Sequence, residues 1–93
     1  MNGPTSAFDA YLNEIVVVDT TSRYVYLGRL SAATPLGLVL TDVDVHDLQD
    51  GTSSRDVYVL QARNDGVREN RGEVTIRADM VVSVSRLADV IQY

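Results

Sequence analysis

A glycine in the middle of an apolar, β-rich segment is the feature that most constrains the fold of this chain. The segment from Tyr24 to Ala32 is predicted as a strand, and Gly28 lies near its centre. A glycine inside a strand usually marks a bulge or a sharp bend, and a small barrel requires strongly bent strands. The sequence therefore predicts a strand that turns a corner and continues into a small closed sheet.

Four more strands are predicted around this bent strand. Each is a short β-branched or alternating segment bounded by polar residues: Glu14–Asp19, Leu38–Asp47, Glu73–Arg77 and Met80–Arg86. In the last strand, Val82 and Val84 are expected to face inward. A short helix is predicted from Ala7 to Leu12, with Ser6 and Asp9 as a capping pair. Leu87 to Ile91 is expected to pack back over the barrel.

The segment between the third and fourth strands, about residues 48–72, can be interpreted in two ways. Its apolar residues Val57 to Leu60 favour a strand, whereas Ser53 with Asp56 and the stop at Asn64–Gly66 favour a helix. We predict a helix over about 54–64. The fold class is therefore mainly β: a strongly bent five-stranded antiparallel barrel with an N-terminal helix and a helical insertion, in one domain spanning 1–93.

The composition excludes several classes of function. Thirteen acidic and eight basic residues give a net charge of −5, which argues against broad, sequence-independent binding of nucleic acid. The chain has no cysteine and one histidine, so we predict no structural zinc site and no cofactor. No nucleophile accompanies Asp44 and His46, so no enzymatic activity is expected. No long apolar run or signal-peptide pattern is present, and a cytoplasmic protein without membrane contact is expected.

Two local motifs resemble those of the Sm-like (LSm) protein family. The first is the strand Val16–Asp19, a polar turn, the bent segment Tyr26-Leu27-Gly28-Arg29-Leu30, and the apolar strand Leu38-Val39-Leu40. The second is the corner Ile76-Arg77-Ala78-Asp79, followed by Met80 to Val84. Ala78 replaces the family's usual glycine, so this corner is expected to be either strained or differently shaped. The resemblance implies the Sm-like barrel fold.

The resemblance also implies a ring of identical subunits. In the family, the fifth strand of one subunit pairs with the fourth strand of the next, and this head-to-tail contact closes into a ring. The corresponding segments here contain no proline and little charge to discourage pairing. The subunit interface is therefore expected at Val74, Thr75, Ile76, Val81, Val82, Ser83 and Val84.

The RNA site implied by the resemblance is altered in this chain. RNA-binding members carry an Asp and an Asn in the turn after the bent strand, and the Asn recognises a base edge. Here the turn Ser31–Gly37 is one residue shorter, with Thr34 near the Asp position and Gly37 near the Asn position. Arg77 is retained, and its planar guanidinium can stack on a base. The implied partner is single-stranded RNA, with Arg77, Asp79, Thr34 and Gly37 as site residues.

Two functions are compatible with these observations. One is a ring associated with single-stranded RNA. The other is an oligomeric scaffold that has lost RNA binding and binds another protein through the insertion and the N-terminal helix. The altered turn favours this second function.

Several of the singled-out residues also have purely structural interpretations. Arg77 and Asp79 can form a salt bridge at the corner, and Tyr24 and Tyr26 can pack at the barrel mouth instead of stacking on a base. His46 is expected to be solvated. Two groups of charged residues are also expected to be solvated. For the acidic group the alternative is a weak cation site: Asp42, Asp44, Asp47 and Asp50. For the basic group the alternative is a local basic rim: Arg63, Arg68 and Arg71.

Overall fold

The computed structural model describes residues 7–49 and 54–91. Its five strands are β1 (Ile15–Thr20), β2 (Tyr24–Thr34), β3 (Gly37–Asp47), β4 (Arg71–Arg77) and β5 (Val81–Arg86). One α-helix, α1 (Arg55–Asp65), lies between β3 and β4, and three short 3-10 helices are Ala7–Tyr11, Ala78–Met80 and Leu87–Asp89. The predicted fold class, element order and helical insertion are confirmed. The N-terminal helix is a single 3-10 segment, and its predicted cap Ser6 lies outside the described residues.

The five strands form one antiparallel sheet in the order β4-β3-β2-β1-β5. β4 and β5 lie at opposite edges of this sheet, yet only the 3-10 helix Ala78–Met80 separates them in the chain. Three residues span roughly 10 Å at most, so the sheet must curl until its edges approach each other. The amide N–H of Thr21 donates to the carbonyl of Met80 at 2.9 Å and fixes this corner against the β1–β2 turn.

The bend predicted at Gly28 is present as two irregularities in the β2–β3 ladder. The register shifts between Leu27 and Arg29 and again between Leu30 and Ala32. A bulge bends its strand and increases the local twist. Gly28 itself is buried, and a Cβ atom there would lie 3.0 Å from the carbonyl oxygen of Thr41. Because Gly28 has no side chain, the backbone of β3 can pack closely against β2 at the bend.

Two apolar clusters lie on opposite faces of the sheet. The inner cluster contains Val16, Val18, Leu30, Leu38, Leu40, Val43 and Ile76, and the outer cluster contains Val17, Val25, Leu27, Val59, Ala62 and Leu87. Successive side chains of a strand point to opposite faces, so the three valines of β1 contribute to both clusters. α1 and the segment beginning at Leu87 cover the outer face. The prediction that Leu87 to Ile91 packs back over the sheet is confirmed for Leu87 and Val90, whereas Ile91 is 74% exposed.

Val82 does not face inward, and the prediction for this residue is wrong. Val81 and Val84 pack against the inner cluster, whereas the side chain of Val82 is 63% exposed. Opposite β1, Val81 pairs with Thr20 and Ser83 pairs with Asp19, so Val82 is an extra residue in the ladder. The bulge breaks the two-residue alternation on which the prediction depended.

α1 begins after Ser54, whose hydroxyl accepts the amide N–H of Val57 at 3.3 Å. Ser53, the predicted cap, lies outside the described residues. The helix ends at Gly66, which has a φ of 96° and whose N–H donates to the carbonyl of Ala62. Arg55 anchors the first turn to β1 because its guanidinium donates twice to the carboxylate of Asp19, at 2.6 Å each. This interaction raises the pKa of Arg55.

His46 is half-buried, and the prediction that it is solvated is wrong. Its ring stacks on the ring of Tyr58 at 3.7 Å between centroids, and its Nε2 atom is buried without a hydrogen-bond partner in the structure. The hydroxyl of Tyr58 donates to Asp44, whose other oxygen accepts the side-chain amide of Asn70 at 3.2 Å. α1 covers this end of β3, which the sequence pattern of β3 alone does not reveal.

The Tyr58–Asp44 hydrogen bond provides a test of how the insertion is held. Tyr58→Phe should lower the free energy of unfolding by about 2 kcal/mol, because a buried hydrogen bond to a charged acceptor is lost. Burial and Asp44 raise the pKa of Tyr58. The unfolded chain therefore releases this proton near pH 10 while the folded chain retains it, and stability should fall above about pH 10.

Urea unfolding between pH 7 and 10.5 measures both effects. Tyr24→Phe is the matched control, since Tyr24 is exposed, and it should change stability by less than about 0.5 kcal/mol. Equal stability of Tyr58→Phe and the unmodified chain at pH 7 would show that the hydrogen bond does not hold α1.

Candidate nucleic-acid interface

The four predicted RNA-site residues lie at one corner of the sheet, where the β2–β3 hairpin meets the β4–β5 connection. Thr34 pairs with Gly37 across the two-residue turn, and Gly37 pairs with Arg77 on the other side. The amide N–H of Ala78 donates to the carbonyl of Leu36 at 2.9 Å, which joins the turn to the corner. The sequence prediction thus selected residues that are neighbours in space.

Gly37 contributes backbone but no side chain to this corner. It is buried, and a Cβ atom at this position would lie 2.3 Å from the carbonyl oxygen of Ile76. Such a distance is far below van der Waals contact. Glycine is therefore required here for the close approach of β4 to the start of β3, which leaves no room for a side chain.

Thr34 uses its hydroxyl to close the turn. The Oγ1 atom accepts the amide N–H of Leu36 at 3.1 Å and lies 3.5 Å from the carbonyl oxygen of Gly37. This is the turn geometry expected of a Thr side chain that hydrogen-bonds the backbone two residues further on. The hydroxyl can still accept a second hydrogen bond from solvent or a ligand.

Arg77 and Asp79 form a solvent-exposed ion pair. The Nη2 atom of Arg77 lies 2.6 Å from a carboxylate oxygen of Asp79, and the Arg77 side chain is 77% exposed. Exposed ion pairs contribute little to stability. The guanidinium therefore keeps an accessible planar face and can exchange Asp79 for another anion at low free-energy cost.

The strain considered for Ala78 is absent. The only non-glycine residues with positive φ in the described part of the chain are Asn13 and Asp42. Ala78 instead begins the 3-10 helix Ala78–Met80. The corner is therefore differently shaped, which was the second of the two predicted outcomes.

Leu36 is a candidate contact that the sequence prediction missed. It occupies the tip of the β2–β3 turn beside Arg77, and its side chain is 86% exposed. An isolated exposed leucine is common on protein surfaces. The backbone of Leu36 is joined to the corner through the N–H of Ala78, so this exposed apolar side chain projects from the same corner as the exposed Arg77. The available signal was a leucine following proline in a turn, where polar residues are usual.

Tyr24 and Tyr26 line an open groove of about 330 Å³ beside β4, together with Thr75, Arg77 and Met80. We call it the edge groove. Tyr26 packs against the inner cluster, in agreement with the structural interpretation, whereas Tyr24 is exposed and lies near the guanidinium of Arg23, 5.8 Å from the ring centroid. The groove runs along β4, one of the two predicted interface strands, to the corner that holds Arg77.

The predicted interface residues lie on the two edges of the sheet. Within the described residues, β4 pairs only with β3 and β5 pairs only with β1. Ile76 is buried in the inner cluster, and Val74, Val81 and Val84 are half-buried against it. The remaining three side chains, Thr75, Val82 and Ser83, are exposed.

The predicted acidic face is largely engaged in contacts within the chain. Asp47 pairs with Arg23 at 2.5 Å, which lowers the pKa of Asp47, and Asp44 accepts Tyr58 and Asn70. Asp42 is exposed, and Asp50 lies outside the described residues. Residues 7–49 and 54–91 contain no group of three potential metal-ligating side chains.

The predicted basic rim is exposed, and Arg63, Arg68 and Arg71 all point to solvent. Among the described residues, the side chain of Arg63 donates a hydrogen bond only to its neighbour Asn64, at 3.4 Å.

None of the described helices is long and apolar enough to cross a bilayer.

Comparison with solved structures identifies the architecture. No family model and no curated protein sequence matches the chain. The Pyrococcus abyssii Sm protein, solved in complex with a uridine heptamer, superposes with a TM-score of 0.58 over 91% of this chain and 99% of that chain. The two sequences are 22% identical. The fold is the Sm fold.

A chain of the NatC complex, solved with CoA bound, also superposes on this chain, with a TM-score of 0.54 and 18% identity. The match covers 88% of this chain and 86% of that chain. Relative to the expected Sm order of strands, α1 occupies the connection between β3 and β4, and the corner holding Arg77 is the connection between β4 and β5.

Proposed function

We propose that this chain assembles into a ring of identical subunits and binds single-stranded RNA at the corner that contains Leu36 and Arg77. The observation that carries the proposal is the exposed guanidinium of Arg77, which lies at a corner of an Sm-fold sheet that also carries the exposed Leu36. Single-stranded RNA is recognised largely through unstacked bases that stack on aromatic rings or guanidinium planes. A ring would repeat this small site once per subunit.

The fold-level likeness to an Sm protein solved with a uridine heptamer supports RNA as the ligand. The net charge of −5 restricts how it can bind. Extensive phosphate contact along the protein surface is disfavoured, so affinity must come from stacking and from a few arginines. We therefore propose a weak, base-dependent interaction at each subunit, which becomes useful through repetition in the ring.

The two open edges of the sheet support the assembly. β4 and β5 expose unpaired backbone groups, and such edges readily accept another strand. The edge groove leaves space along β4, and β5 presents the exposed side chain of Val82. We propose that β5 of one subunit pairs with β4 of the next.

Binding of fluorescent oligo-U and oligo-A at two salt concentrations tests the RNA site. Arg77→Ala should weaken oligo-U binding roughly tenfold or more, because stacking contributes about 1–3 kcal/mol per base. Arg63→Ala is the matched control, since it removes the same charge from an exposed arginine of the insertion. It should change the affinity by less than about threefold.

Asp79→Asn separates RNA contact from a structural role of the ion pair. If Arg77 contacts RNA, removing the carboxylate that competes for its guanidinium should tighten oligonucleotide binding. If the Arg77–Asp79 ion pair is purely structural, the affinity should not increase. Absence of oligonucleotide binding at low salt would reject the RNA site. The alternative function, a protein-interaction scaffold, would then remain, although the structural comparisons do not favour it.

A further inference from the structure

α1 carries more apolar surface than it uses to cover the sheet. Val59 and Ala62 are buried in the outer cluster, whereas Val57 is 47% exposed and Leu60 is half-buried. Residues three apart are neighbours on a helix surface, so Val57 and Leu60 form a second apolar strip beside the buried one. A helix that only covers a sheet needs one apolar face.

This second strip faces another exposed apolar segment. After the 3-10 helix Leu87–Asp89, Val90 packs partly on the outer cluster, and the side chain of Ile91 is 74% exposed. Val57 and Leu60 on one side, and Val90 and Ile91 on the other, line an open groove of about 450 Å³. We call it the helix groove.

The charged groups that line the helix groove are both carboxylates, Asp56 and Asp89. Asp56 contacts Arg55 at 3.1 Å, but its side chain remains 92% exposed, and Arg55 is already engaged by Asp19. Asp89 lies 3.8 Å from Arg86, which also contacts Glu14 and the ring of Tyr11. Both carboxylates can therefore accept further hydrogen bonds from a cationic ligand.

The charge of the groove disfavours a second copy of the same face as its occupant. A two-fold contact would place Asp56 and Asp89 of one chain near the same carboxylates of the other, in a protein of net charge −5. Like charges brought together at an interface are unfavourable. A partner with apolar side chains flanked by Lys or Arg matches both the apolar walls and the acidic ends.

We propose that the helix groove is a docking site for a basic, amphipathic segment of another protein. Apolar side chains of that segment, spaced by three or four residues as in a helix, would lie between α1 and the C-terminal segment. Its cationic side chains would pair with Asp56 and Asp89. This site lies on the outer face of the sheet and does not depend on the proposed RNA site.

An NMR titration of the ¹⁵N-labelled chain tests the proposal. The probe is a synthetic helical peptide of leucine and lysine with an amphipathic pattern, and the reference is the same peptide with glutamate in place of lysine. The leucine–lysine peptide should shift amide signals of residues 56–60 and 89–91. The leucine–glutamate peptide should leave these signals unchanged.

Variants then separate specific docking from nonspecific attraction to an acidic protein. Val57→Ser should weaken binding of the leucine–lysine peptide roughly tenfold, whereas Leu36→Ser, an exposed leucine outside the groove, should leave it unchanged. Shifts spread over other acidic positions such as Asp42 and Asp65, or full binding by Val57→Ser, would overturn the proposal. Concentration-dependent shifts of the same residues without peptide would instead indicate a contact between copies and would also overturn it.

Discussion

Gly37→Ala should lower the free energy of unfolding by about 3 kcal/mol or more. The added methyl group would lie 2.3 Å from the carbonyl oxygen of Ile76 and could be accommodated only by moving β4 away from β3. Overpacking in a core typically costs about 1–3 kcal/mol, and here the obstacle is backbone rather than a flexible side chain. The loss would be a large part of the stability of a small domain.

Gly72→Ala is the matched control for this substitution. Gly72 lies in β4, the strand that approaches Gly37, and a Cβ atom there would have no neighbour within 4 Å. Its replacement should leave stability within about 0.5 kcal/mol or increase it slightly. Urea unfolding followed by circular dichroism measures both variants. Equal midpoints for the two would contradict the role assigned to Gly37, which is to admit β4 against the hairpin.

The order of elements along the chain and the bend could be predicted because they depend on local signals. Alternating apolar residues, a glycine within β2 and polar turns each reflect the conformation of a few consecutive residues. The helix between β3 and β4 could also be anticipated, since its capping and stop residues outweighed the β-branching of Val57 and Val59. The side chain of Val59 is buried against the sheet, and tertiary packing commonly overrides intrinsic propensity.

Contacts between distant segments could not be predicted in the same way. Val82 is exposed because β5 has one more residue than β1 at the bulge. This bulge depends on how two strands about 60 residues apart pair with each other, and the local sequence of neither strand reveals it. His46 is half-buried because Tyr58 stacks on it, and the pattern of β3 gives no sign of this. Such errors arise where pairing or packing, rather than local periodicity, decides exposure.

The residues of the candidate RNA site were selected from the sequence without knowledge of how the structure holds them. Arg77 and Asp79 are two residues apart, so their ion pair follows from the local corner. Gly37 was selected by its place in a motif, whereas its physical role is set by the backbone of β4, which approaches from the other side. Leu36 was missed because an apolar residue in a turn has no chemical signature of binding.

Val82→Asp should prevent the proposed assembly and give monomers. Val82 is the most exposed apolar side chain on either edge strand, so a charge there is tolerated in the isolated subunit but would be buried without a partner in an edge-to-edge contact. Size-exclusion chromatography with light scattering at micromolar concentration should give multiples of 10.2 kDa for the unmodified chain and about one subunit mass for the variant. Val57→Asp, on α1 away from both edges, should assemble normally.

Cysteine cross-linking can establish which strands meet, because the natural chain contains no cysteine. Thr75→Cys in β4 is combined in one chain with either Val82→Cys or Ser83→Cys in β5. If β5 of each subunit pairs with β4 of the next, mild oxidation should give a ladder of covalent oligomers that ends at one closed species. A mixture of the two single-cysteine variants should stop at dimers, because each subunit then offers only one reactive edge. If the unmodified chain is a monomer, the ring is rejected. If an oligomer forms and Val82→Asp leaves it intact, its subunit contacts lie elsewhere than on the two edge strands.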